Sequence, residues 1–219
     1  MPRLLFEKTG NSIWISHLDL MRLFQRAFKR AGLQLKHTQG FNPRPSVSIA
    51  LPLSVGTQSR CELLDFDLDS EYDQWGQLAE RLNSVLVDGV QVVCVYHDGR
   101  KIRDLSLMRS IITLEYDLGT PQGTDAALAE LFDRDSLTVT KKTKNGPQEQ
   151  DIIPMIRGIS VREAGEKQVE LDVLHCCQNP TLNPMQIVAA IEKYLPEFKP
   201  DFSKCCRVEL YDSNEFVFR

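Results

Sequence analysis

The apolar run Leu4, Leu5, Phe6, bounded by Arg3 and Lys8, predicts a first strand, and Thr9-Gly10-Asn11 predicts a turn before a short strand over 12–15. Leu20, Leu23, Phe24, Ala27, Phe28 and Ala31 then recur at three- and four-residue spacing, which places them on one face of a helix over 17–31. Ser16 is placed to cap that helix, Asp19 three residues on completes a capping box, and Gly32 ends the periodicity. After 33–36 and a loop over 38–45, strands are expected over 46–53, ending at Pro52, and over 61–68. A helix follows over 73–86 and a dense β-branched strand over 90–96.

This order, β-α-β-β-α-β, is that of the ferredoxin-like split βαβ arrangement. A second, weaker copy follows, with strands over 110–116, 137–142, 152–161, 168–176 and 205–211. Its helices are expected over 125–132 and 183–195, the latter with Pro184 at its start. The expected fold class is therefore α+β, with two ferredoxin-like (βαββαβ) halves related as a pseudo-duplication. They span 1–104 and 105–219 and join within 100–108, and the second half has one strand more than the pattern needs. Thr143-Lys144-Asn145-Gly146-Pro147 reads as a solvated hairpin tip beside Lys141 and Lys142.

The 219 residues are 42% hydrophobic, enough for a packed core, and no apolar run reaches membrane-spanning length. The first residues lack a signal-peptide pattern, so the expectation is a cytoplasmic protein with no membrane contact. Four of the six cysteines form the adjacent pairs Cys176-Cys177 and Cys205-Cys206. Neighbouring residues of a strand face opposite ways, so neither pair clamps one ion as a Cys-x-x-Cys knuckle does. Buried structural thiols are expected, Cys61 and Cys94 included. A four-thiolate site built by both pairs on neighbouring strands is the alternative.

The net charge of −4 conceals a strong asymmetry. Residues 1–60 hold Arg3, Lys8, Arg22, Arg26, Lys29, Arg30, Lys36, Arg44 and Arg60 against Glu7 and Asp19 alone. Their sum is +7, which leaves −11 for the remainder. A field so one-signed over a short stretch attracts anions such as phosphate backbones, unless the acidic remainder pairs with it. Arg22, Arg26, Lys29 and Arg30 fall mostly opposite the apolar stripe of the first helix, where phosphate-tracking helices carry their cations.

The loop Gly40-Phe41-Asn42-Pro43-Arg44-Pro45 adds a specific shape. Gly40 permits a positive φ, Asn42 offers an amide, and two prolines flank Arg44. Phe41 can stack on a base or anchor in the core, and core anchoring is the expectation; Arg44 is expected to meet an anion. The candidate anion- or nucleic-acid-binding residues are thus Lys8, His17, Arg22, Arg26, Lys29, Arg30, Asn42 and Arg44. His17 and His37 each suit acid–base work near neutral pH, but spacing fixes no nucleophile or carboxylate beside either. A local hydrogen bond is expected for His17 and a capping role for Asp19. No P-loop, Gly-x-Gly-x-x-Gly, His-Glu-x-x-His or Gly-x-Ser-x-Gly motif occurs, and no catalytic residue or metal ligand is assigned.

Phe6-Glu7-Lys8-Thr9-Gly10, Ile15-Ser16-His17-Leu18-Asp19-Leu20-Met21-Arg22, Arg26-Ala27, Arg30-Ala31-Gly32-Leu33 and Gln39-Gly40-Phe41-Asn42-Pro43-Arg44-Pro45 closely resemble the N-terminal pattern of the radical-SAM-linked protein family, a bacterial domain of unknown function. The match continues through Leu51-Pro52-Leu53, Gly56 and Glu62-Leu63-Leu64-Asp65, and more loosely through Asp151-Ile152-Ile153-Pro154 and around Pro184. At position 44 the family often has histidine where this chain has Arg44.

The resemblance implies a domain encoded beside, or fused behind, a radical SAM protein of the cobalamin type. The partner would carry an iron–sulfur cluster, S-adenosylmethionine and cobalamin. This chain has no Cys-x-x-x-Cys-x-x-Cys and so is the accessory half, with no cofactor of its own. The leading expectation is a non-catalytic module that presents an anionic substrate, RNA such as tRNA or rRNA, to that enzyme. The alternatives are a ribonuclease- or transferase-like enzyme using His17 or His37, and a protein-binding scaffold that meets no nucleic acid.

Overall fold

A computed structural model describes residues 1–69, 72–143 and 146–219. They divide into two compact units, Met1–Asp104 with Phe218–Arg219, and Leu105–Val217.

The first unit runs β1 (Arg3–Lys8), α1 (His17–Arg30), β2 (Val47–Ile49), β3 (Gln58–Phe66), α2 (Trp75–Asn83) and β4 (Val90–Tyr96). Its sheet has the order β4-β1-β3-β2 with every pair antiparallel. Leu4 and Phe6 of β1 and Leu64 and Phe66 of β3 are buried against Leu20, Phe24 and Phe28 of α1 and Leu78 and Leu82 of α2. Phe6 and Phe24 meet edge to face with centroids 4.7 Å apart, a geometry that adds to the area they bury.

Two local expectations are corrected here. Residues Gly10–Trp14 form a 3-10 turn rather than a strand, because Lys8 draws the carbonyls of Ile13 and Ile15 inward. The strand expected over 46–53 is only Val47–Ile49, since Pro52 and the bends before it leave the ladder.

The second unit contains β5 (Leu105–Glu115), α3 (Thr124–Phe132), β6 (Thr138–Thr143), β7 (Gly146–Asp151), β8 (Ile156–Ala164), β9 (Gln168–Cys176), α4 (Met185–Tyr194) and β10 (Phe202–Asp212). Its main strands lie in the order β10-β5-β9-β8, again all antiparallel. The surplus strand is explained by β6 and β7, a separate antiparallel hairpin inserted between α3 and β8. Leu137, Val139 and Ile152 anchor it in the unit's core. Lys193 Nζ and Tyr194 OH of α4 both donate to the Thr138 carbonyl at 2.9 Å. β7 was not expected, because Gly146-Pro147-Gln148-Glu149-Gln150-Asp151 has no apolar alternation, and Ile153–Met155 is a 3-10 turn rather than part of the strand expected from 152. The hairpin tip expected at Lys144 and Asn145 lies outside the described residues.

All six cysteines are free thiols; Cys61, Cys176, Cys177 and Cys205 are buried, and Cys94 and Cys206 half-buried. Burial pushes the thiols of Cys177 and Cys205 up to about 12, so both stay protonated and inert. Among the described residues no group of three or more His, Cys, Asp or Glu side chains is placed to hold a metal ion. Nor, among them, is any helix long and apolar enough to cross a membrane.

Candidate functional site

Helix α1 starts where the sequence places its cap. The Asp19 amide donates to Ser16 Oγ at 3.2 Å, and Ser16 Oγ donates to Asp19 Oδ2 at 2.8 Å. That hydrogen bond and the Arg22 guanidinium 3.0 Å away hold the Asp19 carboxyl below its usual range. Leu20, Phe24, Ala27 and Phe28 face the core, so Arg22, Arg26, Lys29 and Arg30 are left exposed.

Arg22, Arg26 and Arg30 stand four residues apart in one row. Like charges at that spacing destabilise a helix by about 0.2–0.5 kcal/mol per pair. Arg22 has Asp19, but among the described residues no carboxylate pairs with Arg26, Lys29 or Arg30. The helix dipole favours Lys29 and Arg30, which lie in the last turn, and gives no such reason for Arg22 or Arg26. The C-terminal carbonyl end already has a donor, since Arg81 Nη2 reaches the Ala31 carbonyl at 2.6 Å.

The chain from α1 to β2 forms a braced projection. Ser46 N donates to the Lys36 carbonyl at 2.7 Å, Thr38 N to the Arg44 carbonyl at 2.9 Å, and Arg44 N to Thr38 Oγ1 at 3.0 Å. Lys36 N is itself tied to the Asp67 carbonyl at 2.9 Å. Gly40 turns the tip with φ +136°, a conformation that side chains rarely adopt. Asn42 and Arg44 are exposed on this loop, and Phe41 is 106% exposed, which corrects the expected core anchoring. The segments on either side of the loop reach the core through Leu33, Leu35 and Ile49 instead.

Other candidates separate from this end. Lys8 is fully buried, its ammonium spent on the Ile13 and Ile15 carbonyls at 3.0 and 2.8 Å, so it is removed from the surface cations. Arg3 is also buried, paired with Asp65, and Lys36 lies 3.5 Å from Asp67. The +7 segment is therefore partly neutralised within its own unit, and the exposed remainder centres on α1 and the loop.

His17 sits half-buried at the first turn of α1, whereas His37 is exposed beyond its last. Fourteen residues at about 1.5 Å each separate those ends by about 20 Å. The two imidazoles therefore cannot share one reaction centre. Among the described residues neither ring has a hydrogen-bond partner, including the local one expected for His17.

A second feature was not foreseen from sequence. Trp14 is 64% exposed, Leu18 67% and Val55 54%, at the N-terminal end of α1. The Gly56 amide donates to the Ile13 carbonyl at 2.9 Å, and Trp14 covers Gly56, where a Cβ would lie 3.3 Å from its ring. Three large apolar side chains are thus left in water on segments that meet at the start of α1.

Residues 2–184 match the model of a family described as an uncharacterized protein conserved in bacteria (DUF2344). No curated protein matches the chain. Among solved structures, a chain from the crystal structure of a Cbf5-Nop10-Gar1 complex is similar, with a TM-score of 0.53 and 7% identity. The alignment covers 95% of this chain and 48% of that one, so this chain spans about half its length. At that identity the likeness is one of fold alone.

Proposed function

Since the chain belongs to the bacterial DUF2344 family, we propose that it is a non-catalytic binding module that presents RNA or another anionic substrate, tRNA or rRNA being the natural candidates, to a radical SAM enzyme. The observation that carries this reading is the row of exposed, largely unpaired cations on α1. Arg26 has neither the carboxylate that Arg22 has nor the last-turn position of Lys29 and Arg30 to offset its like-charge neighbours, and an external polyanion supplies a partner for the whole row. The radical SAM partner, with its iron–sulfur cluster, S-adenosylmethionine and cobalamin, and the cytoplasmic setting rest on the family resemblance. We read both units as ferredoxin-like copies of one ancestral pattern. In support, the strand order of the first unit recurs in the second once the inserted hairpin is set aside.

The test is retention of RNA by the full chain across a salt series. Exchanging Arg22, Arg26, Lys29 and Arg30 for Gln is expected to weaken binding steeply. It should also flatten the log–log salt slope by about 0.7 for each single-strand phosphate no longer neutralised. Binding that keeps the wild-type affinity and slope sinks the reading.

A protein contact alongside the RNA site draws on a different observation, the exposed Trp14, Leu18 and Val55 at the opposite end of α1. This surface suits the partner enzyme, and leaves the cationic end for substrate. Co-purification lost in Trp14→Ser with RNA affinity unchanged supports that division. No observation favours the enzyme reading through His17 or His37.

A further inference from the structure

We infer that the nucleic acid met by the first unit is unpaired RNA, held by a base stacked on Phe41; this deepens the RNA-presenting reading and rests on it. Phe41 is 106% exposed, at the tip of a loop that hydrogen bonds brace on both sides. A flexible loop could fold an aromatic ring back onto the surface. This one holds it out. The Thr38–Arg44 pairing, the φ of Gly40 and the fixed φ of Pro43 and Pro45 limit the conformations by which the ring could reach cover.

The surroundings identify what covers it. Arg44 shares the loop, and Lys29 and Arg30 lie in the turn of α1 from which the loop chain departs. A wholly apolar partner pocket over the ring would have to desolvate Arg44 without pairing it. A nucleic acid meets both needs, with a base face for the ring and phosphates for the cations. A duplex meets only one, because its base faces are occupied by neighbours in the stack, whereas unpaired RNA bases can be splayed onto aromatic side chains. Asn42, also exposed at the tip, offers an amide able to hydrogen-bond a base edge. Stacking accepts any base, so the inference concerns strandedness and not sequence.

The experiment measures fluorescence anisotropy of a labelled, unstructured oligoribonucleotide and of an RNA duplex of equal length, titrated with the full chain over rising potassium chloride. The wild type is expected to prefer the single strand. Phe41→Ala is expected to lose about tenfold or more on the single strand, the range of one base stack, with its salt slope unchanged. Phe41→Trp should restore binding, and duplex affinity should hardly move in either variant. As Phe41 touches no core, both variants are expected to melt like the wild type.

Equal affinity of Phe41→Ala and wild type for the single strand overturns the stacking inference, as does preference for duplex. So does loss of a partner protein from Phe41→Ala while RNA binding persists, which would make the ring a protein contact. The RNA-presenting reading fails separately, when the fourfold Gln variant of α1 keeps its affinity and salt slope.

Discussion

The guanidinium of Arg3 fills the space that a side chain at position 99 would need: a Cβ added to Gly99 would lie 2.5 Å from Arg3 Cζ. Arg3 Nε and Nη2 donate to the two carboxylate oxygens of Asp65 at 2.6 and 3.0 Å, and the Phe218 ring lies 5.5 Å away. Nη1 is buried with no hydrogen-bond partner among the described residues, so the cation depends heavily on Asp65. Asp65→Ala is expected to lower unfolding stability by about 3–5 kcal/mol, the cost of stranding one member of a buried pair. Gly99→Ala should cost about 1–3 kcal/mol through overpacking. Urea unfolding of both variants checks the order, and Arg3→Met with Asp65→Leu should recover most of the loss.

Lys8 offers a test of position against charge. Lys8→Met keeps the buried stem but removes the two hydrogen bonds that shape the turn before α1. It is expected to lose about 2–4 kcal/mol, since hydrogen bonds to a charged group are worth about 1.5–3 kcal/mol each and are not additive. Its RNA salt slope, measured under conditions where the variant is folded, should equal that of the wild type. A flattened slope would return Lys8 to the surface cations.

Neutralising the row on α1 should separate stability from binding. Arg26→Gln with Arg30→Gln removes two like-charge spacings, against which the last-turn cation Arg30 loses its dipole contribution. Arg26→Gln alone carries no such loss. It is expected to match or exceed the wild type in thermal midpoint, by a few tenths of a kcal/mol, while binding RNA less tightly. A lower midpoint would mean that Arg26 has a structural anion on its own chain.

The second unit carries a pH-sensitive core. His175 is fully buried; Nδ1 donates to the Cys176 carbonyl at 3.2 Å, which leaves Nε2 to accept from the Ser110 hydroxyl at 3.0 Å. Burial pushes its pKa down to about 4 from the ordinary 6.5. The folded state thus binds a proton less readily than the unfolded one. Stability is held above the unfolded pKa and falls as pH drops from about 6.5 to about 4, by about 3 kcal/mol in all. Chemical unfolding across that window should show the fall, and His175→Gln should lose this component of it whatever its starting stability.

The helix α1 was legible because its determinants are local: the Ser16–Asp19 cap and the three- and four-residue recurrence of Leu20, Phe24, Ala27 and Phe28 need no distant partner. Lys8 and Phe41 were misjudged for the opposite reason. A lysine becomes a core residue only when carbonyls from the next turn, those of Ile13 and Ile15, converge on its ammonium. A phenylalanine stays in water here because the pairing of Thr38 with Arg44 holds the tip of the loop away from the core that Leu33, Leu35 and Ile49 help to fill. β7 was missed since its polar residues pair with β6 through the backbone, and apolar periodicity records nothing of backbone pairing. Trp14 read as part of a strand; its exposure follows from the 3-10 turn that replaces that strand.

Phe218 and Arg219 return to the unit that the chain leaves at Asp104. Phe218 is fully buried there, with the Arg3 and Arg100 guanidinium groups 5.5 and 5.0 Å from its ring, and the Arg100 amide donates to the Arg219 carbonyl at 2.9 Å. The path is thus a closed circuit, with the second unit as a loop pinned at both feet. A single protease cut within Leu105–Val217 leaves the far fragment held by the strand pairing of β10 with β5 and, in the first unit, by the buried Phe218 ring, so nicked protein should travel as one species until denaturant unfolds it.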